Sequence, residues 1–179
     1  MLSTIVFCES VQPSGRIELA ERVVRTLSSL IRANVEGLLG DVAIAGPAAQ
    51  GLGVIADHAG CGLIEGDAEG EWLFRAVEAA RGPELFILRS GFAPQAGFIE
   101  EAGDFLRALA DGGPGSAAAA LLLAAPESFA ERLFPRAAPA AGLIAPRDKC
   151  LDKSAGKFAA LVQFIAPATA LRTPARRIG

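Results

Sequence analysis

Within residues 70–91 the apolar positions change from a helical to a strand period across one short turn. Leu73, Phe74, Val77 and Ala80 recur at helical spacing and predict one apolar face. Gly82 suits a left-handed cap and Pro83 cannot continue a helix, so the helix stops there. Leu85-Phe86-Ile87-Leu88 is a continuous apolar run, as expected of a strand covered on both faces. It stops abruptly at Arg89-Ser90-Gly91. Open α/β sheets bind ligands outside the carboxyl ends of their strands, which makes Arg89 and Ser90 the first candidates for function.

The flanks continue the alternation. Residues 2–8 predict a first strand, 9–15 a loop, and Ser14 a cap for the next helix. Residues 17–32 form that helix, the clearest in the chain. Its stripe is Leu19, Val23, Leu27, Leu30 and Ile31, with Glu18, Glu21, Arg22 and Arg25 toward water. A second strand over 41–45 ends at Gly46-Pro47. A short helix comes next over 52–59, closed by Gly60, then a strand over 61–64. Asp67 is placed to cap the Gly70 helix. After the central strand come a turn over 92–95 and a helix over 96–110. Phe98, Ile99, Ala102, Phe105, Leu106 and Leu109 form that helix's inner side. A glycine-rich turn over 111–116 leads to a fifth buried strand over 117–124. Beyond Pro126 the pattern weakens to a short helix over 129–134 and irregular structure over 135–156. Residues 158–165 fit a helix or a strand. There is no internal repeat. Strands alternating with helices predict an α/β fold, a mostly parallel sheet flanked by helices. One domain over 1–179 is expected, with 126–179 its least regular part.

Composition narrows the class. Of 179 residues, 51% are hydrophobic and 21% charged, enough for a sizeable core and too apolar for disorder. A net charge of −3 without a block of one sign gives no sign of a nucleic-acid partner. The basic end, 172–177, reads as a solvated tail. No run approaches the roughly 20 apolar residues of a membrane span. The amino terminus lacks a basic region and Glu9 interrupts its apolar run, so no signal peptide is expected. Cys8, Cys61 and Cys150 are an odd set without a C-x-x-C pair, read as reduced buried thiols in a cytoplasmic protein.

The order and lengths of these pieces resemble the nucleotide-diphosphosugar transferase fold of the family 2 glycosyltransferases, a GT-A-like and Rossmann-like architecture. The likeness is to small bacterial members, well over 1–125 and loosely beyond. It rests on LSTIVFCES, DVAIAGPAAQ, GEWLFRAVEAARG and ELFILRSG. The resemblance implies a nucleotide-diphosphate or nucleotide-sugar site near Glu9 and Ser10, Gly46, Gly70, Arg75, Arg89 and Ser90. In the family an Asp-x-Asp pair after the central strand holds a divalent cation against the leaving diphosphate. This chain has Arg89-Ser90-Gly91 there, and Ala45-Gly46-Pro47 where a nucleotide-holding acid would stand. Asp148 and Asp152 are the only acids in the region of the family's catalytic base. The expectation is a family 2-like protein without metal-dependent transfer, with no metal ligand and no catalytic residue assigned. Any nucleotide diphosphate would be held weakly. Arg89 either replaces the metal as a fixed cation, since guanidinium binds phosphate in a bidentate way, or reaches solvent or a nearby glutamate. A non-catalytic nucleotide-binding or protein-interaction module is the alternative.

Other features are weaker. Gly51-Leu52-Gly53-Val54-Ile55-Ala56, with Glu65 after the next strand, spells a dinucleotide fingerprint and suggests a Rossmann domain as a third reading. Pro47-Ala48-Ala49-Gln50 separates those glycines from their strand, however. His58 and Asp57 are adjacent on a helix and diverge, so they form no base–orienter pair. Ser90 lacks a histidine nearby and a G-x-S-x-G context. Glu100-Glu101 read as solvated carboxylates, and Trp72 as a core or rim aromatic.

Overall fold

The computed structural model describes residues 1–10, 16–48, 50–112, 117–127, 133, 138–152, 156–165 and 167–178, with backbone alone at 16–18. The first half alternates strictly: β1 (Leu2–Phe7), α1 (Arg16–Val35), β2 (Leu39–Pro47), α2 (Leu52–Ala59), β3 (Gly62–Gly66), α3 (Glu69–Ala79) and β4 (Glu84–Arg89). The second half is less regular: β5 (Phe92–Pro94), α4 (Phe98–Asp111), β6 (Ala119–Leu123), β7 (Ala140–Pro146), α5 (Arg147–Leu151), α6 (Phe158–Phe164), β8 (Ala168–Ala170) and β9 (Ala175–Arg177).

Seven strands form one sheet in the order β3-β2-β1-β4-β7-β6-β8, and β5 pairs with β9 apart from it. All pairings in the large sheet are parallel except those of β7, which runs antiparallel to both β4 and β6. The period of two along β1 and β4 assigns side chains to two cores. Val6, Phe86 and Leu88 meet Leu30, Phe98, Phe105 and Ile144 on one face. Ile5, Phe7, Leu85 and Ile87 meet Trp72, Leu73, Val77, Leu143, Phe158 and Leu161 on the other. Leu85 to Leu88 are all completely buried, and burial of one such side chain is worth about 1.5–3 kcal/mol. Helices α1 and α4 therefore cover one face, and α3, α5 and α6 the other.

Several local expectations are corrected. On α3 the buried set is Trp72, Leu73, Ala76 and Val77, one position round from the predicted stripe, and Phe74 is 37% exposed. Trp72 determines that rotation: fully inside, its indole N–H donates to the Cys8 carbonyl at 3.0 Å. Asp67 is not the cap of α3. Ala68 holds that position, and the Glu71 carboxylate reaches back to accept from the Asp67 N–H at 3.1 Å. Gly82 is not a left-handed cap either; the helix ends at Ala80 in extended geometry, and the Gly82 N–H donates to Ser3 Oγ at 2.7 Å. Ile31 lies 61% exposed on α1 rather than in its stripe. Residues 92–94 are a strand rather than a turn, because β9 offers them a partner.

The largest correction lies in 135–156. Its described part holds β7, one of the central strands, and α5. Prolines at 139 and 146 made it look irregular, yet they only bound the strand, where a missing N–H costs little. Glycine stands at its third position because there is no room: a Cβ on Gly142 would lie 3.0 Å from Phe86 Cε2. Residues 158–164 are helical. The basic end is no solvated tail, since β9 is paired and Ala175 is fully buried. The Ser14 cap, most of the expected helix over 129–134 and most of the glycine-rich turn lie outside the described residues.

Candidate functional site

Strand order reverses between β1 and β4, since the chain runs outward from β1 to β3 and returns on the other side. That reversal is where open α/β sheets leave a crevice at the strands' carboxyl ends. Backbone bonds hold the crevice floor. The Ser90 N–H donates to the Phe7 carbonyl and the Cys8 N–H to that of Ala45, both at 2.8 Å. Gly46 completes the floor by close approach: a Cβ there would sit 2.7 Å from Leu52 Cδ1 and 2.9 Å from Cys8 Cβ.

Above this floor opens a cleft of about 520 Å³ lined by Glu9, Glu21, Arg22, Arg25, Arg89, Ser90, Gly91, Phe92, Arg177 and Ile178. Its walls are the β1 and β4 ends, one face of α1, and the β5–β9 ribbon. The turn after β4 is pinned to both walls. The Gly91 N–H donates to Thr26 Oγ1 at 3.0 Å, and the Gly91 carbonyl accepts from the Ile178 N–H at 2.8 Å. Gly91 has φ +89°, a conformation that favours glycine, and a Cβ there would press on Arg22 Cδ at 3.1 Å.

Four arginines thus meet at one cleft, and three have carboxylate partners. Arg89 donates to Glu9 Oε2 at 2.7 Å and to the Ala140 carbonyl at 3.0 Å, with its guanidinium 5.1 Å from the Phe92 ring centroid. Arg25 pairs with Glu21 at 2.5 Å and also donates to the Ile178 carbonyl at 3.3 Å. Arg177 pairs with Glu127 at 3.3 Å, donates to the Ala125 carbonyl at 2.9 Å, and lies 5.9 Å from the same Phe92 ring. Arg22 has no ion pair among the described residues, and its Nε is buried without a hydrogen-bond partner. Beneath them the Cys8 thiol has its pKa pushed up to about 12 by burial, against the lowering pull of the Ser90 hydrogen bond and the Arg22 charge. A neutral thiol of that kind is not a nucleophile.

Of the residues singled out from sequence, Glu9, Arg89 and Ser90 come together here, and the Glu9 contact of Arg89 is the glutamate pairing expected for a strand-end arginine. Ser10 is exposed beside Glu9, and Gly46 lies under the floor. Gly70 and Arg75 sit apart on α3, where Arg75 donates to the Glu65 carbonyl at 2.7 Å at the β3 end. β3 lies three strands from β4, roughly 14 Å at the usual strand spacing. The Gly51 fingerprint comes after β2, one strand outside the reversal. Trp72 is core, and His58 is exposed. Glu101 is not a solvated carboxylate: it accepts from the backbone N–H groups of Arg172 and Thr173 at 3.0 and 2.8 Å.

Periodicity alone puts Arg22 and Arg25 toward water and Arg177 in a tail. Arg22 and Arg25 share a face with Thr26 at i, i+3 and i+4, a legible grouping on the helix after the first strand. What turns that face into a wall is the distant β9, which no local pattern announces.

No protein-family model matches the chain, and no curated protein matches it in sequence. Solved structures do match. Glucosyl-3-phosphoglycerate synthase of Mycobacterium tuberculosis superposes with a TM-score of 0.60 at 14% identity, covering 99% of this chain and 72% of its own. TarS of S. aureus, residues 1–349, gives 0.62 at 10% identity, covering 99% and 60%. HddC of Yersinia pseudotuberculosis gives 0.58 at 8%, covering 99% and 94%. The fold is that of the GT-A glycosyltransferases. Two of these relatives have nucleotide complexes, TarS with UDP and the synthase with Mn²⁺, UDP and phosphoglyceric acid. The chain spans about three-fifths of the TarS fragment, and identities this low carry the fold alone.

Proposed function

We propose that this chain is a glycosyltransferase family 2-like protein whose cleft between β1 and β4 takes a nucleotide diphosphate, or its sugar, without a divalent cation. The observation that supports the reading is a cluster of cations, with no carboxylate on the β4 end, at the switch point of a GT-A sheet, where the family resemblance leads one to expect an Asp-x-Asp pair. The central strand ends in Arg89-Ser90-Gly91, and arginines line the cleft it opens on. The UDP complexes of fold relatives support the ligand class.

A divalent cation of the kind bound by the synthase does not fit this donor set. Hard cations need several oxygen ligands, carboxylates foremost. The β4 end supplies a guanidinium and one hydroxyl. The two carboxylates lining the cleft, Glu9 and Glu21, are each held by an arginine. Among the described residues no three His, Cys, Asp or Glu side chains gather as a metal site. No transfer step is therefore routed through a metal, and no residue is assigned to catalysis. The pairing of Arg89 with Glu9 favours a second reading, a module that binds nucleotide without turning it over.

Because Glu9 opposes an incoming phosphate, binding is expected to be weak, with Kd about 10⁻⁴ M or higher, about 5 kcal/mol. Calorimetric titration of UDP, with EDTA and then with Mn²⁺, tests this. Binding in EDTA that Mn²⁺ leaves unchanged supports the reading. Binding that appears only with Mn²⁺ ends the metal-free part of it, and no binding in either buffer ends the nucleotide assignment.

A further inference from the structure

Among the described residues, Arg22 is the cation of the cleft without a carboxylate partner. Glu9, Glu21 and Glu127 hold Arg89, Arg25 and Arg177, and these three also bond to backbone carbonyls or sit against Phe92. Arg22 makes no ion pair among the described residues, and its Nε, like that of Arg89, is buried with no hydrogen-bond partner. A buried N–H left unpaired is costly, and in Arg22 it belongs to a guanidinium that lines the cleft. Packing holds it in place. The turn at Gly91 lies directly against the Arg22 stem, and Thr26, one helical turn further on, anchors the same turn through the Gly91 N–H.

We infer that Arg22, rather than Arg89, is the principal anion-binding residue of this cleft, and that the group it takes is a dianionic phosphate bound without metal. The inference rests on the reading of the cleft as a nucleotide-diphosphate site and identifies which part of that ligand the protein grips. A guanidinium offers parallel N–H donors that match two phosphate oxygens. The neighbouring arginines add field while their own partners hold them at the rim. A terminal phosphate fits the excess charge better than a carboxylate, because it carries about two negative charges and more acceptor oxygens. Both a nucleoside diphosphate and free pyrophosphate present such a group.

The test is calorimetric titration of the full chain in EDTA with UDP, inorganic pyrophosphate and uridine, for wild type, Arg22→Gln and Arg22→Lys. The expected result is a Kd for UDP and pyrophosphate at least tenfold higher in Arg22→Gln, with a smaller loss in Arg22→Lys, which keeps the charge and loses the fork. Gly91→Ala, which displaces the Arg22 stem, carries the same expectation should Arg22→Gln not fold. UDP binding unchanged within twofold in these variants overturns the inference and leaves the nucleotide reading standing. Pyrophosphate binding that depends on Arg22, with UDP no tighter than pyrophosphate, upholds the inference and removes the nucleotide reading. No binding of either phosphate probe removes both.

Discussion

The chain up to β4 and the chain beyond β6 contribute to the same sheet by different routes. In the first, one helix joins each strand to the next, β1 to β2 and β2 to β3 as sheet neighbours and β3 across the sheet to β4. In the second, β7 inserts antiparallel between β4 and β6, β8 adds to the far edge, and β9 leaves the sheet to pair with β5. The difference teaches where the cleft comes from. Its floor and three arginines, Arg22, Arg25 and Arg89, belong to the alternating half, whereas the ribbon that closes it, with Arg177 and Ile178, comes from the irregular half. An α/β sheet supplies a crevice by topology, and here the late strands give that crevice a wall.

Truncation inside the core should break this comparison most strongly. Phe86 on β4 and Ile144 on β7 are both fully buried, face each other in register, and belong to one cluster. Phe86→Ala is expected to cost about 3–5 kcal/mol and Ile144→Ala about 2–5 kcal/mol of unfolding free energy. Urea denaturation reads both. If Ile144→Ala costs under about 1 kcal/mol, far below that range, β7 is a loose addition and the two halves are not one core. Because the residues touch, their losses should also not add.

The two halves differed in legibility for the same reason that they differ in construction. Leu85 to Leu88 announces a buried strand by composition alone, and the helix preceding it by period. The extent of α2 over Leu52–Ala59 and its closure at Gly60 were likewise readable, because a left-handed cap is a local device. β7 was not readable. Its alanines, glycine and bounding prolines look like a loop until Phe86 and Leu122 are seen to fill the space its side chains would need. The stripe of α3 was misplaced by one position because Phe74 and Trp72 compete for the core, and the Cys8 carbonyl, an acceptor far away in sequence, decides for Trp72. In the cleft, the place of Arg89 is legible from its position at a strand end. Arg22 is not legible as a cleft residue, since an arginine on the polar side of an amphipathic helix reads as solvated until Gly91 lies against it.

A smaller effect is expected where the halves meet at Arg89, which ties the β1 loop through Glu9 to the start of β7 through the Ala140 carbonyl. Arg89→Ala removes a cation and also releases Glu9 beside the phosphate position. UDP affinity should fall less than tenfold, about 1 kcal/mol, and adding Glu9→Gln should restore most of it. The double variant binding no better than Arg89→Ala would show that Arg89 grips the ligand directly. The loss for a charged hydrogen bond, about 1.5–3 kcal/mol, would then apply.

The smallest effect concerns how the late strands are latched. Glu101 on α4 takes the backbone N–H groups of Arg172 and Thr173, just before β9. Burial raises its pKa, but the hydrogen bonds from Thr173 and Arg172 and the Arg172 charge outweigh this, and the carboxyl lies below its ordinary value of 4.5. A carboxyl depressed in the folded state contributes stability that is present above its unfolded pKa and lost as pH falls through its folded pKa. The latch should therefore hold at neutral pH and open only in acid. Glu101 lies near the surface, so screening keeps the global effect small. The measurable consequence is local: amide exchange at Ala175, Arg176 and Arg177 should be faster in Glu101→Gln than in wild type at about pH 7, and the gap should close as pH falls through the lowered pKa of Glu101. A gap that persists in acid would mean that the variant acts through shape rather than charge. No gap at neutral pH would place the hold on β9, and with it the wall of the cleft, in its pairing with β5 and its bonds to Ala125 and Gly91.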